Sequence, residues 1–131
     1  MTLVSEHNVE EISQIRMQKL CDKILELDNI RFAGLISNRG NLFAGGFKKG
    51  IIPKEDDEKR RLMYMRFALE SCLRNDFDDS LGPFRYSIIQ REKVSIFTMN
   101  VCNYLLLVFS EPNGDLHNGV KSIQSIIKSM N

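Results

Sequence analysis

Apolar positions along this chain alternate between two periods, near 3.6 and near 2, and the changes of period divide it into eight elements. From Asn8 to about Leu27, the residues Val9, Ile12 and Ile15 and then Leu20, Ile24 and Leu27 make a broad, drifting helical stripe. Asn8 with Glu11 three positions later has the form of a capping box, and Ser5 offers a cap one turn earlier. Asn29 interrupts the helix. Ile30, Phe32 and Gly34 then alternate with Arg31, Ala33 and Leu35, which predicts a strand. Ser37-Asn38-Arg39-Gly40-Asn41 is a turn, because Asn and Gly tolerate positive φ. Leu42 to Phe47 is the second strand. Its Gly45-Gly46 pair marks a bulge or another backbone lying close.

Pro53 followed by Glu55, Asp56, Asp57 and Glu58 reads as a helix entrance, since proline suits a first turn and acids suit the positive end of the helix dipole. This second helix is predicted to reach about Phe77, with an acidic loop from Asp76 to Pro83 after it. Three strands follow, Phe84–Gln90, Val94–Cys102 and Tyr104–Phe109, joined by Arg91-Glu92-Lys93 and by Asn103. The run Leu105-Leu106-Leu107-Val108 does not alternate, as expected of a central strand covered on both faces. After a turn at Glu111-Pro112-Asn113-Gly114-Asp115, the last helix runs from Leu116 or Asn118 to Met130. Leu116, Val120, Ile123, Ile127 and Met130 form its buried stripe. The order is α-β-β-α-β-β-β-α. It predicts an α+β class, with an antiparallel sheet carrying helices on both faces, in one domain over residues 1–131.

The second helix is apolar on two faces. At about 100° per residue, Leu62, Met65, Leu69, Cys72 and Leu73 share one face and read as the core stripe. Met63, Tyr64 and Phe67 lie opposite, beside Glu70 and Arg74. A helix packed only on its own sheet is polar there. A covered second surface is therefore expected, most simply a homodimer interface, since two-fold symmetry lets one patch serve itself.

Composition and charge narrow the function. The formal net charge of the 131-residue chain is +1, so no global field favours nucleic acid or membrane. The first residues carry Glu6, Glu10 and Glu11 without an apolar run, so no signal peptide is expected. The longest apolar run, Tyr104 to Phe109, is too short to span a bilayer. Cys21, Cys72 and Cys102 are odd in number and sit in apolar patterns, which predicts buried free thiols in a reducing cytoplasm. His7 and His117 stand alone, without a second ligand at metal spacing. Gly45-Gly46-Phe47-Lys48-Lys49-Gly50 has the glycine spacing of a phosphate loop, but Ile51-Ile52 stands where Lys and Ser or Thr belong. Ser37 and Ser110 have no visible base, and the acids from Glu55 to Glu58 read as a solvated cap. No catalytic residue, metal ligand or cofactor is assigned. Lys59-Arg60-Arg61, Arg66, Arg85 and Arg91, with Lys48 and Lys49, form a modest basic set that suits an acidic protein partner better than nucleic acid.

In order and pattern the chain resembles a roadblock domain, the dynein light-chain group related to longin and profilin-like folds. The resemblance runs from about Val9 to Met130. It rests on the helix ending before Asn29-Ile30-Arg31-Phe32-Ala33-Gly34-Leu35-Ile36, the Asn38-Arg39-Gly40 turn, Leu42-Phe43-Ala44, the three-strand run, and the closing helix after Asn113-Gly114-Asp115. The resemblance implies a five-stranded sheet in the order 2-1-5-4-3, with the second helix on one face and the first and last on the other. It also implies dimerisation through the second helix and third strand, and a non-catalytic role as scaffold, adaptor or regulator of a small GTPase. In that topology Phe84-Arg85-Tyr86-Ser87-Ile88-Ile89 is an edge strand with unpaired amides. The expected interface is Met63, Tyr64, Phe67, Arg74, Phe84, Tyr86 and Ile88. The alternative is a small-ligand sensory domain of profilin-like or PAS-like type, with Gly45-Gly46 leaving room for a ligand near the backbone.

Overall fold

The computed structural model of the chain describes residues 6–112 and 115–130. In chain order its elements are α1 (Glu6–Leu25), β1 (Ile30–Ile36), β2 (Leu42–Phe47), α2 (Asp57–Arg74), a 3-10 turn (Asn75–Phe77), α3 (Asp78–Leu81), β3 (Ser87–Gln90), β4 (Ser95–Val101), β5 (Tyr104–Ser110) and α4 (Leu116–Ser129). The strands form one five-stranded antiparallel sheet in the order β2-β1-β5-β4-β3, the order that the resemblance implies.

β5 is central, and every residue from Leu105 to Ser110 is buried. Its period of two feeds two separate cores. Leu105, Leu107 and Phe109 join Phe32, Ile36, Ile96 and Tyr64 beneath α2. Leu106 and Val108 join Ala33, Leu35, Phe97, Leu20, Cys21, Ile24, Val120 and Ile123 beneath α1 and α4. The missing alternation seen in the sequence is thus two interleaved alternations. On the α2 side the core is aromatic: the Phe32 ring lies 4.9 Å from that of Phe47, 5.0 Å from that of Phe109 and 5.9 Å from that of Tyr64.

Turn chemistry fixes the register of the first hairpin. The Gly40 amide donates to the Ser37 carbonyl at 2.9 Å, and the Ser37 amide to the Asn41 carbonyl at 2.9 Å. Gly40 has φ +85, and a Cβ there would come 2.7 Å from Met65 Cα, so the turn also seats against α2. In β2 the first glycine of the pair, Gly45, marks a close approach, while Gly46 faces open space. With φ +91, a Cβ on Gly45 would fall 2.1 Å from the Ala33 carbonyl oxygen and 2.9 Å from Cys21 Sγ. Gln18 Oε1 accepts from the Gly45 amide at 2.8 Å, which couples α1 to β2.

Several expected boundaries shift. α1 starts at Glu6, so Asn8 lies inside its first turn and is not the cap; Ser5 lies outside the described residues, as do the side chains of Val9, Ile12, Leu116, His7 and His117. α1 ends at Leu25, and Asn29 closes the turn into β1 in the left-handed region at φ 67, a conformation its short polar side chain tolerates. Asp56 caps α2, its side chain accepting from the Lys59 amide at 2.8 Å, and the helix stops at Arg74. The acidic stretch after it coils into a 3-10 turn and the one-turn helix α3, not a loop. β3 is four residues long and omits Phe84, Arg85 and Tyr86. Its tie to β4 is partly polar: Ser87 Oγ bonds Thr98 Oγ1, and Ser95 Oγ donates to Gln90 Oε1.

Two outcomes follow. Gly45→Ala forces both a backbone clash and a strained φ, so urea unfolding should show a loss of at least about 2 kcal/mol. Gly50→Ala, with φ +86 but open space, should cost only about 1–2 kcal/mol. The second outcome concerns pH. Burial, and secondarily the charge of Asp22, push the Cys21 thiol from 9.0 up to about 12. Burial pushes the Tyr64 hydroxyl from 10.0 up to about 12; Arg60 opposes this and Glu55 adds to it. Both groups titrate earlier in the unfolded chain, so stability is fully present below about pH 9 and is lost as pH rises towards 12. Denaturation midpoints measured from about pH 7 to pH 11 should stay level and then fall, and Cys21→Ala should flatten the first part of the fall.

Candidate functional site: an open helix face beside an open strand edge

α2 lies on the sheet through a face opposite to the one its aliphatic spacing predicts. Tyr64 is 7% exposed and Ala68 3%, both turned to the sheet, and Met63 and Phe67 pack half-buried against the same core. Ser71 Oγ meets Asn100 Oδ1 at 3.3 Å along that contact. Leu62, Met65, Leu69 and Leu73, expected in the core, are instead 50–59% exposed, and Cys72 is exposed beside them. The physical reason is complementarity. Tyr64 stacks on Phe32, and the small Ala68 and Ser71 let the helix approach an aromatic sheet surface that a row of leucines would hold off. Of the expected interface trio, Tyr64 is committed to the chain's own core. Met63 and Phe67 also line a shallow groove of about 230 Å³ with Lys59, Leu62, Arg66 and Glu70.

The exposed apolar strip continues beyond α2 into Phe77, 60% exposed, and Leu81. Among the described residues β3 pairs only with β4, so its other edge presents unpaired backbone groups. Of the residues expected on that edge, Ile88 packs half-buried towards the α1–α4 core and Tyr86 rests 5.9 Å from the Phe97 ring while staying exposed. Phe84 precedes the strand and carries the Arg74 guanidinium over its ring, 3.9 Å from the centroid. Arg74 Nε and Nη2 are buried there without a hydrogen-bond acceptor. Burial pushes this guanidinium below its ordinary pKa, and Glu70 works the other way. Met63, Phe67 and Arg74 therefore lie on the α2 side of the sheet, Tyr86 and Ile88 turn to the α1–α4 side at its β3 edge, Phe84 bridges to Arg74, and Tyr64 lies inside.

The basic set disperses. Arg60 bonds Glu55 at 3.3 Å and Asp57 at 2.9 Å and stacks on Phe47, and Lys48 Nζ donates to the Leu27 carbonyl at 2.9 Å. The expectation of three buried thiols holds only for Cys21. Cys72 is turned outward with the α2 strip, and Cys102 sits at φ 54 in the exposed β4–β5 turn; all three are free. Of the room expected for a ligand beside Gly45-Gly46, that at Gly45 is filled by the Ala33 carbonyl and Cys21, while Gly46 faces open space. Among the described residues no helix is long and apolar enough to cross a membrane.

A search of curated proteins gives no match. Solved structures do match in fold. A Roadblock/LC7 domain from Streptomyces avermitilis shares a TM-score of 0.63 and 14% identity, covering 86% of this chain and 92% of that one. The gliding protein MglB from Thermus thermophilus gives a TM-score of 0.68 at 15% identity, over 99% of this chain and 94% of that one. A structure described as MglB with tetrameric arrangement gives 0.62 at 15% identity, over 100% and 97%. The architecture inferred from element order is thus that of the roadblock domains, and a family model matches almost the whole chain. Matched over residues 7–129, the chain belongs to the family of unknown function DUF6659.

Proposed function

We propose that this chain is a non-catalytic, homodimeric scaffold or adaptor module in the cytoplasm, with the outer face of α2 and the edge of β3 as its working surface. The observation that carries the reading is the strip Leu62, Met65, Leu69 and Leu73, half or more exposed on a helix that buries Tyr64 and Ala68, together with a β3 edge unpaired among the described residues. Exposed leucines scattered singly are ordinary, but a strip about three turns long beside an open edge suits a second polypeptide. Symmetry makes a second copy the simplest one: two α2 helices crossing about a two-fold axis can cover each other's strips, or two β3 edges can extend the sheet. The fold shared with the roadblock and MglB structures supports the same reading. A small GTPase or another protein is the class of partner that a roadblock resemblance implies, and the assembled pair offers it a broad surface.

Light scattering at high concentration should give about twice the 15.1 kDa chain mass. Leu69→Asp places a charge in the strip without touching either core, so it should yield a folded monomer, with unfolding stability within about 0.5 kcal/mol of a diluted wild type. Phe67→Asp is a poor probe, because it also strikes the core beneath α2. A wild-type chain that stays at single-chain mass at every concentration sinks the dimer.

A further inference from the structure

We infer that the cleft between α4 and the start of β3 is a docking site for an extended, acidic segment of a protein partner. It is walled by α4 and not by the α2 strip, so it stands whether or not two chains pair through that strip.

The cleft exists because β3 is short. β3 pairs with β4 from Gln90 opposite Ser95 to Ser87 opposite Thr98. At Met99 and Asn100 the β4 edge has no strand partner among the described residues, and the chain at Phe84 and Arg85 stands off from it. On the other side, α1 lies across β1 and β2 with α4 beside it, so one flank of α4 faces away from α1. That flank carries Lys121, Gln124 and Lys128, at helical spacing, and closes a cleft of about 580 Å³.

Its charge is one-sided. Arg85 lines one wall, Lys121 and Lys128 the other, and all three are exposed. Among the described residues none of them makes an ion pair, whereas Arg31 and Arg60 do. The composition of the walls is the reason. Glu92 is the only acid between Leu81 and Ser110, and it lies in the β3–β4 turn, at the far end of the strand; α4 has no acid from Leu116 to Ser129. The whole chain carries a formal charge of only +1, so the cleft is a local excess and not part of a general field.

The same walls select the form of the anion. Met99 and Ile127, packed partly buried against the α1–α4 core, make an apolar floor, and Asn100 and Gln124 add neutral amides. An extended peptide uses all of these at once: carboxylates meet the cations, and the alternate side chains meet the floor. Lys121 and Lys128 stand about 10 Å apart along the helix, the span of about three extended residues, so two or three acids within a short stretch match them. A nucleic-acid strand finds less here, because Phe84, the ring that lines the cleft, already holds Arg74 over one face.

The test titrates the full chain into a short fluorescent peptide that alternates Glu with Val, read by anisotropy at low salt. The peptide should bind, and binding should weaken as salt is raised. The same peptide with Gln for Glu should bind at least about tenfold more weakly. Lys121→Gln combined with Lys128→Gln should weaken binding of the Glu peptide about fivefold or more. Lys49→Gln combined with Arg61→Gln removes the same charge from exposed positions outside the cleft and should change binding by less than about twofold. A Glu peptide that fails to bind overturns the inference, as do equal losses from the two double variants. Tighter binding of a single-stranded RNA or of phosphatidylserine vesicles than of the peptide overturns it too. None of these outcomes bears on the dimer, which light scattering of the chain alone tests separately.

Discussion

A helix laid on a sheet buries only part of its circumference, and α2 carries more apolar surface than one sheet can cover. Everything distinctive about this molecule follows from that mismatch. The side chains that fit the aromatic floor of Phe32, Phe47 and Phe109 are Tyr64, Ala68 and the inner flanks of Met63 and Phe67. Their choice leaves Leu62, Met65, Leu69 and Leu73 facing water. Each exposed leucine forgoes up to roughly 1.5–3 kcal/mol of burial, so the strip adds little to the stability of the fold itself.

The element order and the two-sided central strand are legible in the sequence because they depend on local periodicity and turn chemistry, whereas the strand order follows only from the roadblock resemblance. Leu105 to Val108 cannot alternate when both faces of β5 are covered, and Gly40 is required where the hairpin turns at positive φ. The facing of α2 is not legible in the same way. Two apolar stripes on one helix satisfy the helical period equally, and the decision is made by what lies underneath. One signal is present: Tyr64, Ala68 and Ser71 repeat at four-then-three spacing, and small residues within such a stripe mark close approach to a sheet. The aliphatic residues form the more hydrophobic stripe, but size and shape decide the packing.

The same distinction explains the cysteines and the edge strand. Cys72 belongs to the outer α2 stripe and is exposed with it, while Cys21 stays inside because Gly45 admits it against the β2 backbone. Phe84 and Tyr86 have the alternation of a strand, yet β3 begins only at Ser87. Phe84 is instead held by Arg74, a contact that no strand pattern encodes.

Arg74 and the leucine strip are costs of the isolated chain, of different kinds. The strip is a diffuse loss that almost any apolar surface relieves. The guanidinium is a directional one, relieved only by an acceptor placed at Nε and Nη2.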